Sequence, residues 1–470
     1  MANISDLISY NENYNNIFRT AGMLGKRIGV NVYVVGGFVR DAMMGRQNHD
    51  IDLMVEGDGI KFSKLLAKEL NVPDIVPFDE FGTAIIPYSE IEIEVATARK
   101  ESYKHNSRKP KIELTTIDED MSRRDFTVNA MAVSISPDNF GDLIDPYGGI
   151  QDINKKLIIT PLDPDETFID DPLRMMRAIR FSAQLDFDIA ANTLNSIEAN
   201  RKRLEIVSWE RVRDEILKCL GTKKPSKAFY LFKETKLMGY IFPELDIMSG
   251  VEKIDGKGHK DVFIHTLEVV DNAANLSDKM KVRFAALVHD IAKPPTKRFD
   301  PAKGWTFHGH EEIGRRMIKV VAKRMKLSND LRDYLMLLTK LHLRPIALAK
   351  KTITDSAIRR VMFEAGRELD DLMTLCRADI TTKNPEKVKK YMNNFNKVEE
   401  LMKDVKLRDE MKAFHSPVRG EEIMKTFNLK QGPQVGAIKQ SIENAILDGK
   451  IENTHEAAFQ YMMKLDLKTL

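Results

Sequence analysis

Asp50 and Asp52 stand two residues apart beside the apolar run Ile51, Leu53, Met54 and Val55. Side chains of an extended strand alternate between faces, so both carboxylates leave the same side. Like charges held that close repel each other unless a divalent cation lies between them. Mg²⁺ is commonly bound in this way, by one or two carboxylates together with substrate phosphates. In IEIEVAT (91–97) a second strand alternates Glu92 and Glu94 with Ile91, Ile93 and Val95. We select Glu94 as the third oxygen ligand. Upstream, Gly36-Gly37 allows backbone N–H groups to approach a triphosphate, the helix that follows adds a favourable dipole, and Arg40 can pair with phosphate oxygens. An isolated Asp-x-Asp also suits a solvated strand start, and it is the neighbouring residues that point to metal and nucleotide.

Asp171 and Arg174 are three apart at the start of a helical run, with Pro172 suited to the first turn. Asp171 could act simply as an N-cap. As a chemical pair, the carboxylate accepts from an exocyclic amino group while the guanidinium donates to the adjacent ring nitrogen. Cytosine and adenine both present that amino group beside an acceptor nitrogen, whereas uracil and guanine present a ring N–H and a carbonyl. Each unmatched buried donor or acceptor costs ~1–3 kcal/mol, so two mismatches supply most of a discrimination. Arg177 and Arg180 continue in three-residue steps, where they can meet triphosphate or RNA, or lay their stems over apolar surface. RKESYKHNSRKPKI (99–112) carries six Lys or Arg against one Glu and reads as a basic loop near the acids. Residues 201–227 hold nine basic residues against four acidic, a candidate stripe for an RNA backbone.

Six of the ten histidines fall between 259 and 342. His265, His289-Asp290, His310, His342 and then Asp379 form an ordered set of ligand types, with His308 a weaker candidate than His310. HDIAKP followed by GHEEIG resembles the HD superfamily of metal-dependent phosphohydrolases. That resemblance implies one or two transition-type ions such as Mn²⁺, Ni²⁺ or Fe²⁺, which create a hydroxide near neutral pH, with Lys293 ready for a substrate phosphate. The alternative is a retained scaffold whose histidines only pack helices.

The elements that position these groups follow from periodicity. Residues 1–30 read as one helix, from Ile4, Leu7, Ile8, Ile17, Met23, Leu24 and Ile28. VYVV (32–35), IDLMV (51–55), 84–87, 91–97 and MAVSI (131–135) read as strands, with helix FSKLLAKEL (62–70) among them. After Gly148-Gly149 helical patterns dominate. The expected class is α+β: a mixed-sheet head at 1–150, a helical neck at 151–222, body helices at 223–255, a histidine-rich helical domain at 256–385, and a charged helical tail at 386–470 that faces RNA. No fixed-period repeat or low-complexity tract is present.

The chain has 470 residues, 43% hydrophobic and 30% charged, a globular balance. With 73 basic and 70 acidic residues the net charge is only +3, so any nucleic-acid affinity must come from local clustering. Cys219 and Cys376 cannot make a disulfide framework and suit a reducing compartment. No leader-like N-terminus and no apolar run of membrane-spanning length is seen, so a cytoplasmic protein with no membrane partner is expected.

GGFVRDAMMG (36–45) with HDIDLMV (49–55), SRRDFTVNAMAV (122–133), IDPYGGIQDI (144–153), DDPLRMMRAIRF (170–181) and SWERVRDEI (208–216) together resemble the ordered motifs of class II tRNA nucleotidyltransferases and bacterial poly(A) polymerases. The resemblance implies a polymerase-β-like palm and two Mg²⁺ ions bridged by Asp50 and Asp52. The implied substrates are CTP, ATP and a tRNA 3′ end. In the same way Glu94 assists at the attacking hydroxyl, Arg124, Asp125 and Asn129 handle sugar and phosphates, and Asp171 and Arg174 select the base. CCA addition is the leading expectation. Poly(A) synthesis, partial CC or A addition, and an inert RNA-binding protein are the rivals.

Overall fold

The computed structural model describes all residues except 1, 49, 80–81, 103–110, 255–256, 259, 349–353, 410–415 and 466–470. Most of the basic loop expected at 99–112 therefore lies outside the described residues. The chain forms two compact units, Met1–Pro243 and Glu244–Leu470.

The N-terminal region contains two helices, not one: α1 (Ser5–Ile8) and α2 (Glu12–Ile28). Asn11 makes the break, because its side chain accepts from the Asn13 N–H and caps α2. There follow β1 (Val32–Val35), α3 (Gly37–Met43), β2 (Asp50–Val55), α4 (Gly59–Glu69), β3 (Val76–Phe78), β4 (Thr83–Tyr88) and β5 (Ile91–Thr97). A hairpin of β6 (Arg99–Ser102) and β7 (Lys111–Leu114) precedes α5 (Ile117–Ser122), β8 (Ala132–Ser134) and β9 (Leu143–Ile144). The seven-stranded sheet runs β3-β4-β5-β2-β1-β8-β9, with β2 and β5 parallel and its other pairs antiparallel.

Alternation along β1 sends Val32 and Val34 into one apolar layer with Phe18, Phe38 and Phe62, and Tyr33 and Val35 into a second with Met121 and Ala130. Each fully buried large side chain of this kind contributes ~1.5–3 kcal/mol. The sheet is thus covered on both faces near its centre and fixes β2 against β5. Helices α6 (Gly149–Lys155), α7 (Pro164–Asp170), α8 (Leu173–Leu185), α9 (Ala191–Asn200), α10 (Trp209–Leu220) and α11 (Ser226–Glu234) complete this unit, with α8 packed on α10 and α11.

In the second unit the helices Val262–Leu276, Met280–Val288, His310–Arg324, Asn329–Leu341 and Leu369–Ala378 pack on one another. Helices Gly420–Phe427, Pro433–Leu447 and His455–Met463 have an apolar cluster of their own around Ile423, Ile438, Ile442 and Met462. The expected mixed-sheet head followed by helices is what the molecule shows.

Candidate active site

In the parallel pair, Asp50 lies opposite Glu92 and Asp52 opposite Glu94. Ile51, Leu53, Ile93 and Val95 enter the core. The four acids therefore share the other face and line a cavity of about 1070 Å³. Gly36, Gly37, Arg40, Arg124, Asp125, Asn129, Asp171, Arg174, Arg177 and Arg180 line the same cavity. Every residue expected from sequence to act on the nucleotide is thus brought to one place.

Burial, reinforced by Glu94 and Asp50 against the opposing pull of Arg124 and Arg40, pushes the Asp52 carboxyl up to about 6. A cation between these acids would offset that burial and the mutual repulsion by favouring the ionised form, and oxygen donors are what a hard divalent ion takes. Gly36 has φ +71, and a Cβ there would sit 2.8 Å from Arg124 Nη1 and 3.5 Å from Asp52 Oδ2. Its own N–H donates to Met131 O at 3.1 Å, so Gly36 supplies clearance and not the phosphate-facing donor expected of it.

The arginines differ from expectation too. Arg40 is buried and donates to Asp41 through Nε and Nη2 (2.9 and 2.8 Å) and to Asn129 Oδ1 through Nη1 (2.7 Å). Arg177 Nε and Nη2 donate to Asp125 Oδ2 at 2.8 and 2.5 Å. Asp125 Oδ1 accepts from Asn129 and from the Phe126 N–H. Burial alone would raise the Asp125 carboxyl, but Arg177 and Asn129 hold it below the usual range. Arg180 donates to the buried Glu215 at 2.6 Å and lies 4.0 Å over the Phe181 ring. A guanidinium in a low-dielectric wall must be paired, which is why these side chains have internal partners. Arg124 is held only by longer contacts, to Asp120 at 3.2 Å and Asn129 O at 3.4 Å.

Asp171 lies outside the helix that its spacing suggested. It is the extended C-cap of α7, followed by Pro172 as the N-cap of α8. Its Oδ1 accepts from the Leu173 N–H, and Arg211 spans both its oxygens. Arg174 instead donates to main-chain carbonyls, Arg123 O at 2.6 Å and Thr167 O at 3.4 Å.

In the second unit four imidazoles converge on one carboxylate. His265 and His289 Nε2 lie 3.4 and 3.1 Å from Asp290 Oδ2, and His310 and His342 Nε2 lie 3.3 and 3.8 Å from Oδ1. Asp379 Oδ1 is 3.0 Å from His265 and 3.8 Å from His289. The ligand atoms fall into two triads, His265–His289–Asp379 and Asp290–His310–His342. The Nδ1 of His289, His310 and His342 faces a main-chain carbonyl three residues back at 2.7–2.8 Å, which places the proton on Nδ1 and leaves Nε2 as a ligand. His289 Nε2 and both Asp290 oxygens are buried without an aligned hydrogen bond. Burial and His289 lower His342 to about 4, so it stays neutral. Lys293 Nζ lies 2.5 Å from Asp290 Oδ2, against the carboxylate and not free for phosphate. His308 is exposed and outside the cluster.

Residues 32–159 match the Poly A polymerase head domain, 186–248 the probable RNA and SrmB-binding site of polymerase A, and 262–383 the HD domain. The multifunctional CCA protein of Shewanella frigidimarina is 33% identical over 362 residues, 74% of this chain and 83% of that one. The chain belongs to the CCA-adding tRNA nucleotidyltransferase family. This nucleotidyltransferase is also 44% identical over 161 residues to the A-adding tRNA nucleotidyltransferase of Aquifex aeolicus, 34% of this chain and 19% of that one. A CCA-adding enzyme solved in its apo form I matches it with a TM-score of 0.64 at 25% identity, over 98% of this chain and 97% of that one.

Family membership implies use of a divalent metal. The acids of β2 and β5 fit a hard cation, and the buried imidazole and carboxylate atoms around Asp290 fit a softer one. Among the described residues no helix is long and apolar enough to cross a membrane. Sequence reasoning missed Arg211, Glu215 and the pair Asp41–Asn48. Asn48 Oδ1 accepts the Asp50 N–H at 3.0 Å, and its Nδ2 donates to Asp41 at 2.9 Å. Arg211 and Glu215 stand inside SWERVRDEI, so the motif was visible but its partners were not.

Proposed function

We propose that this nucleotidyltransferase adds CMP, CMP and AMP, from CTP and ATP, to the 3′ end of tRNA in the cytoplasm, with Mg²⁺ as the ion at Asp50 and Asp52. The observation that carries the proposal is the register Asp50–Glu92 and Asp52–Glu94 opening into the cavity that also holds Asp171 and Arg174. When bound, the ions would lower the pKa of the attacking 3′-hydroxyl and offset the charge of the leaving pyrophosphate. Asp50 and Asp52 hold them, and Glu94 assists at the hydroxyl. Arg124, whose nearest partner is farther off than those of Arg40, Arg174, Arg177 and Arg180, turns to the triphosphate. Asp125 meets the ribose with Arg177 and Asn129 fixing its plane. Arg174, aligned by two carbonyls, donates to the base nitrogen while Asp171 accepts from the amino group.

The test is purified protein with tRNA lacking CCA and each NTP separately and together. Ordered addition of two C and one A is expected. Long A tails would select a poly(A) polymerase. A single A, added only to tRNA ending in CC, would select the A-adding reaction, which the Aquifex similarity makes the specific rival. No incorporation would overturn the reading in favour of an RNA binder.

A second activity is favoured by the four imidazoles around Asp290: hydrolysis of phosphoesters with Mn²⁺, Ni²⁺ or Fe²⁺ held by His265, His289, Asp290, His310, His342 and Asp379. Bound metal and phosphodiesterase activity, both lost in His289→Ala while nucleotide addition continues, are expected; absence of metal after loading would leave the cluster a packing device. We assign the head to 1–150, the neck to 151–222, the body to 223–255, the HD domain to 256–385 and an RNA-facing tail to 386–470, which limited proteolysis tests.

A further inference from the structure

Asp171 Oδ2 accepts from Arg211 Nη2 at 2.7 Å, and Oδ1 accepts from Arg211 Nη1 at 3.3 Å and from the Leu173 N–H at 3.1 Å. Arg211 rises from the first turn of α10, and with a side chain 51% exposed against 27% for Asp171 the pair adds little to stability. Both residues line the nucleotide cavity. What the contact does decide is which lone pairs of Asp171 face a base.

An ionised carboxylate offers about four lone-pair positions. Leu173 and the two guanidinium donors occupy three, and the position left lies on Oδ2. A bare carboxylate has a natural partner among the bases, and it is guanine. The ring N1–H and the 2-amino group of guanine are adjacent parallel donors, the same geometry with which a guanidinium forks onto two carboxylate oxygens. Cytosine and adenine each offer one amino donor beside a ring acceptor, and a single open lone pair suffices for them. Uracil has one ring N–H between two carbonyls and gains nothing from a two-oxygen dock.

The geometry points to Arg211 as a specificity-determining positioning residue that excludes GTP: by covering both oxygens of Asp171, it denies guanine a two-point contact and leaves one acceptor for cytosine or adenine. This rests on the base-reading role proposed above for Asp171. A guanine nucleotide must displace a charged fork to bind, whereas CTP and ATP bind with the fork in place.

The test measures kcat/KM for CTP, ATP, GTP and UTP on tRNA lacking CCA, in the full chain. Arg211→Gln is expected to raise the GTP/CTP ratio of kcat/KM about tenfold, the scale of a hydrogen bond to a charged group, mainly through a lower KM for GTP. UTP should not gain in parallel. Arg211→Lys, with one point of contact, should fall between wild type and Arg211→Gln, and it reads the same ratio should the glutamine variant fail to fold. Adding Asp171→Asn to Arg211→Gln should cancel the gain, since an amide offers guanine only one acceptor. Equal losses for all four nucleotides in the Arg211 variants, with the ratio unchanged, would overturn the inference. If Asp171→Ala alone also leaves selectivity untouched, it is the base-reading role that has failed; if Asp171→Ala shifts selectivity while Arg211→Gln does not, only the Arg211 inference falls.

Discussion

The two acidic centres of this chain are built on opposite principles. On β2 and β5, Asp50, Asp52, Glu92 and Glu94 stand on a rigid sheet with an open cavity in front. Around Asp290, by contrast, four histidines and two carboxylates close on one another from different helices, most of them buried. The first arrangement leaves the coordination of a hard cation to be finished by substrate oxygens, and the second supplies a nearly complete ligand set from the protein. An open site of this kind would take up its ion together with the substrate, whereas a closed one would keep an ion in the absence of substrate.

The largest test of this contrast is Asp52→Asn. Nucleotide addition in single-turnover assays should fall ~10³-fold, about 4 kcal/mol of activation free energy, with no change in metal bound at the histidine cluster. Asp290→Asn is the converse. Because both triads lean on this carboxylate, metal content after dialysis should drop to background and phosphodiesterase activity vanish, while nucleotide addition stays within about twofold. Loss of addition as well would show that the centres are not independent. Asp171→Ala should lower the preference for CTP and ATP over UTP about tenfold with little effect on tRNA affinity, read by competition between nucleotides. Unchanged selectivity would refute the base-reading assignment.

The smallest effect concerns stability without metal. The Asp52 carboxyl lies near 6 when folded against 3.8 ordinarily, so the folded state binds the extra proton between those values. Metal-free stability should therefore decrease as pH rises through that window, and the ionised group costs on the order of 3 kcal/mol at neutral pH. Asp52→Asn should raise the unfolding midpoint of the metal-free protein by several degrees, and saturating Mg²⁺ should shrink the difference. A lower midpoint for the variant in chelator would contradict this.

Legibility from sequence followed the range of the interaction. The period of two in a strand is local, so Asp50, Asp52 and Glu94 were readable, and with them the sheet face they share. His265, His289, Asp290, His310, His342 and Asp379 were readable as ligand types in order, though their division into two triads needed the folded helices. What sequence could not give was the partner of each long cation. Spacing leaves Arg40 to phosphate and Arg177 and Arg180 to triphosphate, RNA or apolar surface, but their stems are flexible and their partners, Asp41, Asp125 and Glu215, are chosen by tertiary approach. Asp171 was assigned to a helix that begins after it, because Pro172 caps α8 while Asp171 ends α7. The same limit hid Arg211, forty residues from the carboxylate it spans.

The tether from Asp41 through Asn48 to the Asp50 N–H has a practical consequence for mutational surveys of this chain. A change at Asp41 leaves Arg40 with Asn129 alone and Asn48 without the carboxylate that orients it, so the entry to β2 loses its anchor and turnover should suffer although Asp41 itself does no chemistry. Residues that hold a wall in place and residues that do the work against it thus produce the same phenotype, and only a coordinate map tells mason from tool.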